Sequence, residues 1–87
     1  MSKGDKALWR LISGTSDRNF RFDELRSILT RQGFSFRVKG DHFIFTHPAV
    51  AEIINIQPDG ALAKPYQVKQ VRSILISYGF GAEDGDV

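Results

Sequence analysis

The stretch Val38-Lys39-Gly40-Asp41-His42-Phe43-Ile44-Phe45 decides how this chain is read. Two apolar runs flank a Gly-Asp pair, and glycine supplies the positive φ that a tight hairpin needs. Upstream, Phe34-Ser35-Phe36-Arg37-Val38 alternates apolar and polar residues, the pattern of a half-buried strand. Lys39-Gly40-Asp41 is then the turn, and His42 to Thr46 the second strand. Phe43 and Phe45 alternate with His42 and Ile44, so the phenylalanines face a core and the histidine faces the other way. A histidine thus opens a strand directly after a tight turn, on a rigid element at the edge of a sheet, with a basic residue just before the turn.

Working outward, His47-Pro48 breaks the ladder, because proline has no N–H to give it. Residues 52–57, Glu-Ile-Ile-Asn-Ile-Gln, read as a third strand, although 48–54 also suits a helix on propensity. Pro58-Asp59-Gly60 is a turn signal, followed by a loop through Lys64. Pro65 fits the first position of a last helix. Val68, Val71, Leu75 and Tyr78 form one face of it, and Gly79 caps it. At the other end, residues 3–13 predict a helix with Leu8, Leu11 and Ile12 on one face, Ala7 and Trp9 beside it, and Gly14 as the stop. Residues 14–22 form a polar connector. Asp23 is the expected N-cap of a second helix carrying Leu25, Ile28 and Leu29, with Glu24 in its first turn and Gly33 at its end. The order helix, helix, strand, strand, strand, helix predicts an α+β domain: a three-stranded antiparallel sheet with helices gathered on one face and the other face partly open.

Composition agrees. The chain has 87 residues, enough for one domain with one core, expected over residues 1–80, with 81–87 as an acidic flexible tail. It has no cysteine, so disulfides and thiolate metal sites are ruled out. Its uncharged stretches are far shorter than a membrane span and no apolar run follows Met1-Ser2-Lys3, so a cytoplasmic protein is expected. The net charge of +2 hides an asymmetry. Setting aside Glu83, Asp84 and Asp86 leaves 12 basic against 7 acidic residues, or +5, which suits an anionic partner such as nucleic acid as well as it suits plain solubility.

Little in the chain can carry chemistry. No carboxylate pair has the spacing of a glycosidase or aspartic protease, and one histidine beside Asp41 is too few ligands for a metal. No phosphate-cradling glycine motif is present, and no cofactor is implied. Of the two histidines, His47 precedes Pro48 and reads as a turn residue. His42 is the candidate. Histidine takes and gives protons near neutrality. RNA carries its own nucleophile, the ribose 2′-hydroxyl, so a base that removes that proton lets the oxygen attack the adjacent phosphorus without a metal. Arg37 and Lys39 could stabilise the charge that develops. Taken alone, a half-buried strand histidine bonded to backbone is the simpler account. A second candidate surface is the start of the last helix, whose free N–H groups and dipole suit a phosphate, with Lys64, Lys69 and Arg72 adding charge. A solvated helix face explains those residues equally well.

At this point the ordered residues resemble a family, the HicA toxins, RNA-cleaving partners in HicA–HicB toxin–antitoxin pairs. The match runs from the helix ending in Gly33-Phe34, through Lys39-Gly40-Asp41-His42-Phe43-Ile44-Phe45-Thr46-His47-Pro48, to Lys64-Pro65-Tyr66-Gln67-Val68-Lys69-Gln70-Val71-Arg72-Ser73-Ile74-Leu75. The family pattern is Gly-Ser-His followed by a histidine or an aromatic, a later His-Pro, and an Arg-Ser/Asn-Ile-Leu segment in the last helix. The helix at 3–13 resembles that of a longer subgroup. The resemblance implies the α-β-β-β-α sandwich of a double-stranded-RNA-binding domain, with an extra N-terminal helix. It implies a metal-independent mRNA interferase with His42 catalytic, Gly40 and Asp41 positioning it, RNA as substrate and a HicB-type antitoxin as partner. Asp41 stands where serine is common, and Phe43 where many members carry a second histidine. The alternative from another class is a non-catalytic double-stranded-RNA-type binding module, with phosphate contacts spread over Lys64, Lys69 and Arg72.

Overall fold

The computed structural model describes residues 3–80, so the acidic tail lies outside the described residues. Helices α1 (Lys3–Ser13) and α2 (Phe22–Arg31) precede strands β1 (Ser35–Lys39), β2 (His42–His47) and β3 (Val50–Ile56). A short ribbon, β4 (Pro58–Asp59) with β5 (Leu62–Ala63), leads into α3 (Pro65–Ser77). The architecture is the expected α+β class: three helices and a three-stranded antiparallel sheet in the order β1-β2-β3. No helix among the described residues is long and apolar enough to cross a membrane.

Strand pairing sorts the side chains by face. Phe36 pairs with Phe45 and Phe45 with Ile54, while Val38 pairs with Phe43 and Phe43 with Ile56. Residues directly opposite in a ladder share a face, so these six form the face that meets the helices. Phe45, Ile54 and Ile56 are wholly buried there against Leu25, Leu29, Val68, Val71 and Leu75. Arg37 with Ile44 and Asn55, and Lys39 with His42, fall on the opposite face. The first hairpin turns on two residues, Gly40 and Asp41. Gly40 has φ +64°, the left-handed value that a first central position of a tight hairpin wants.

Several boundaries differ from the sequence expectation, each for a tertiary reason. His47-Pro48 does not end the ladder. His47 pairs with Val50, Pro48 and Ala49 form the loop, and β3 starts at Val50 rather than 52, so the helical reading of 48–54 is not adopted. An irregularity between Phe45 and His47 absorbs the extra β3 residues. Residues 14–22 are not simply a polar connector. Ala63 N–H donates to Phe20 O at 2.8 Å and Phe22 N–H to Ala61 O at 3.0 Å, which lays 20–22 alongside β5 and buries Phe20 completely. That pairing starts α2 at Phe22 with Arg21 as its N-cap, and moves Asp23 into the first turn. Trp9 is 61% exposed, because one residue past Leu8 the helix has already rotated it off the buried Leu8–Leu11 stripe. Tyr78 caps α3 instead of joining its buried face, and its hydroxyl accepts from Ala51 N–H and donates to Glu52 at 2.6 Å.

Helices α2 and α3 end in the same way. Gly33 N–H bonds Thr30 O and Phe34 N–H bonds Leu29 O; Gly79 and Phe80 repeat this on Ile76 and Leu75. This is the Schellman arrangement, in which a left-handed residue lets the chain reverse over the last turn. Gly33, at φ +97°, has no room for more, since a Cβ there would meet His47 Nε2 at 3.1 Å. The two phenylalanines that follow, Phe34 and Phe80, pack against the His47 ring at 4.9 and 5.2 Å.

α1 is tied to α2 by Arg10, whose two guanidinium nitrogens reach the Glu24 carboxylate at 2.9 and 3.0 Å. That bond holds the Glu24 carboxyl below its ordinary range, and burial opposes it only in part. The folded protein therefore takes up this proton at lower pH than the unfolded chain does. The pair stabilises fully above the ordinary carboxylate range and the contribution disappears as pH falls through the folded value. Urea midpoints at pH 7 and pH 3 should fall further for wild type than for Glu24→Gln, by up to about 1 kcal/mol, as suits a partly exposed pair.

Candidate active site

The open face of the sheet carries the site. Two polar residues of β3 and its extension, Asn55 and Gln57, alternate with the buried Ile54 and Ile56 and so share the face of His42. His42 Nδ1 lies 3.0 Å from Asn55 Oδ1. On the other side of the ring, Nε2 lies 3.7 Å from Asp41 Oδ1, with the two side chains 49% and 64% exposed. Asp41 is itself held: Gln57 Nε2 donates to its Oδ2 at 2.6 Å. Gln57 in turn accepts from Lys64 Nζ at 3.3 Å, and its backbone N–H donates to Gln67 Oε1 at 3.0 Å. Gln67 is the buried polar residue of α3. A continuous polar chain thus runs from Lys64 at the head of α3, through Gln57 and Asp41, to His42 and Asn55.

The Gln57 amide holds the Asp41 carboxyl below its ordinary range; desolvation opposes it in part, and its own backbone N–H and the charges of His42 and Lys64 add smaller contributions in the lowering direction. Asp41 is therefore a carboxylate at neutral pH.

Of the residues the sequence singles out, Lys39, Gly40, Asp41 and His42 come together at the hairpin, Lys64 is linked to Asp41 through Gln57, and Arg37 lies on the same sheet face. Lys39 stands directly across from His42, and Arg37 across from Ile44 on the same face. Along that face, past Ile44, lies a shallow depression of about 390 Å³ lined by Ser35, Phe36, Arg37, Ile44, Thr46 and Ile53. Lys69 is elsewhere, facing a depression formed by residues 14–19 and Pro65. Arg72 is already occupied: its guanidinium binds both Asp17 oxygens, at 2.7 and 3.2 Å, and reaches Leu11 O at 3.4 Å. That pair is mostly buried and locks the end of α1 and the 17–19 turn to α3. Arg72→Ala is expected to lower stability by about 1–3 kcal/mol, read as a lower urea midpoint, because it leaves Asp17 without its partner.

The head of α3 offers less to a phosphate than its sequence suggests. Pro65 has no N–H, and the Gln67 and Val68 N–H groups both bond Lys64 O, at 2.9 and 3.0 Å. Only Tyr66 N–H is left among the first four positions, so charge there comes chiefly from Lys64.

Phe43 does not belong to the site. Its ring packs edge-on against Phe22 at 5.0 Å under the Arg26 guanidinium, so a side chain at this position points away from His42. His47 is equally remote in role, its Nδ1 accepting from Ala49 N–H at 3.0 Å. Among the described residues no group of three or more His, Asp or Glu could hold a metal ion. Asn55, Gln57 and Gln67 escape a sequence reading that looks for titratable groups. The signal for the first two was their period-2 alternation with Ile54 and Ile56 on a strand destined to lie beside β2. No protein-family model, curated protein or solved structure matches this chain.

Proposed function

We propose that this chain is the toxin of a HicA–HicB type II pair, an endoribonuclease acting on mRNA in the cytoplasm with His42 as general base. The observation that carries the proposal is the placement of His42: on the sheet face turned away from the helices, bonded to Asn55, with Lys39 directly across on β1, Arg37 on the same face across from Ile44, and Lys64 joined to Asp41 through Gln57. On this reading α2, the sheet and α3 form the α-β-β-β-α arrangement of a double-stranded-RNA-binding domain, and α1 is the addition of a longer subgroup.

The step needs no group beyond the chain and its RNA. His42 takes the proton of a ribose 2′-hydroxyl, and the oxygen attacks the adjacent phosphorus. The O2′–P bond forms and the P–O5′ bond breaks. The leaving O5′ takes a proton from the imidazolium or from water, which yields a cyclic phosphate and a free 5′-hydroxyl. Lys39 and Arg37 stabilise the added negative charge. A HicB-type antitoxin would cover this face. RNA cleavage in a gel and growth on induction, each with His42→Ala beside wild type, test the proposal. Toxicity and cleavage that survive the substitution would sink it.

A second reading is a non-catalytic RNA-binding module. The Asp41 carboxylate beside the ring repels a phosphate from His42 itself, so such a module would hold RNA through cations away from the histidine, with salt-dependent binding and no cleavage by the wild type.

A further inference from the structure

We infer that Asn55 is a positioning residue: it holds neutral His42 with the proton on Nδ1 and so presents Nε2 as the proton acceptor. The catalytic consequence rests on the ribonuclease reading; the positioning does not.

The argument is one of donors and acceptors. A neutral imidazole has one N–H and one lone pair, and whichever hydrogen bond one nitrogen makes decides what the other can do. The atom facing His42 Nδ1 at 3.0 Å is the Asn55 carbonyl oxygen, which can only accept. The proton therefore lies on Nδ1 and the lone pair on Nε2. Among the described residues no donor is hydrogen-bonded to that lone pair. Asp41 is ionised and has no proton to give, and at 3.7 Å it is beyond hydrogen-bond reach. Gln57 keeps it there by binding its other oxygen at 2.6 Å. Once Nε2 has taken a proton, the ring faces the Asp41 carboxylate at 3.7 Å. The logic is that of a catalytic triad, in which a third group fixes the tautomer of the base, here supplied by an amide on the adjacent strand.

The second histidine is an internal contrast. His47 Nδ1 accepts from a backbone N–H, which can only donate, so neutral His47 carries its proton on Nε2. The two histidines of this chain are therefore expected to be opposite tautomers.

Long-range ¹H–¹⁵N spectra of the ¹⁵N-labelled full chain at alkaline pH read this directly, with the His42→Ala protein identifying the signals. Wild type should show a pyrrole-type Nδ1 and a pyridine-type Nε2 for His42, and the reverse for His47. Asn55→Asp keeps an acceptor and should keep the pattern. Asn55→Leu removes it and should shift His42 towards the Nε2–H form while His47 stays unchanged. In RNA cleavage Asn55→Leu should lower kcat by roughly two- to tenfold, the worth of one solvent-exposed hydrogen bond, with KM held and with Asn55→Asp closer to wild type. An Nε2–H tautomer for His42 in wild type overturns the inference, as does an Nδ1–H form that persists in Asn55→Leu. The expected spectra from a wild-type protein that cleaves no RNA would uphold the role of Asn55 and overturn the ribonuclease reading instead.

Discussion

RNA cleavage by the His42→Ala protein is expected to fall by about 10²–10⁴-fold, the contribution of a positioned general base. The size of the loss follows from the site. No other imidazole faces the sheet surface, because His47 is packed between Phe34 and Phe80, and position 43 points into the core. Asp41, the carboxylate that lies nearest His42 Nε2 among the described residues, is a poor substitute, since the Gln57 amide holds it below its ordinary range and weakens it as a base. The loss should not come from unfolding. The His42 side chain is half exposed, and its removal returns the Asn55 amide to water, so stability should change by no more than about 0.5 kcal/mol. Single-turnover cleavage of an end-labelled RNA and a urea midpoint on the same preparation separate the two effects. A folded His42→Ala protein that cleaves within a few-fold of wild type would remove His42 from the chemistry.

Phe20→Ala is expected to cost about 3–5 kcal/mol, the range for truncating a buried phenylalanine. A chain of 87 residues has a total stability of roughly 4–13 kcal/mol, so the variant should be marginal or unfolded, with Tm lowered by more than 10 °C. Phe20 has no exposed surface. The Arg10 guanidinium lies over its ring at 4.4 Å while held by Glu24, and its carbonyl accepts from Ala63 N–H. Removing the ring therefore opens a cavity at the point where α1, α2 and the β4–β5 ribbon meet. Thermal and urea unfolding measure it. A cost below about 1 kcal/mol would mean that residues 14–22 are the solvated connector their composition suggests.

The contrast between these two residues shows what local sequence can place. The position of His42, at the start of a strand after a tight turn, was legible because its surroundings are local: a Gly-Asp turn, strict alternation on either side, and a chemically distinctive side chain. The same locality located α3 from Pro65 and its Val68, Val71 and Leu75 spacing, and α2 from Leu25, Ile28 and Leu29. Phe20 was missed because its backbone partner, Ala63, lies some forty residues away and its immediate neighbours are polar. Arg72 shows the same limit. Position and charge made it a candidate for phosphate, but its guanidinium is bound to Asp17, a residue no local pattern couples to it.

The sequence by itself determined the α+β class, the order of the three helices and the three strands of the main sheet, the hairpin at Gly40-Asp41 and the side of the sheet on which His42 stands. Each of these depends on periodicity and turn chemistry within a few residues. Only the tertiary structure showed the β4–β5 ribbon and decided how the candidate face is assembled. The β2–β3 register places Asn55 beside the ring. The link from Gln57 to Lys64, with Gln67 holding the Gln57 backbone, draws the head of α3 to the hairpin tip. The same packing turns Arg72 inward and Phe43 away. The physical reason is that a hydrogen bond is specified by the approach of two particular atoms. Here those atoms belong to residues 7 to 55 positions apart, which only the packed core brings within 3 Å or so of each other.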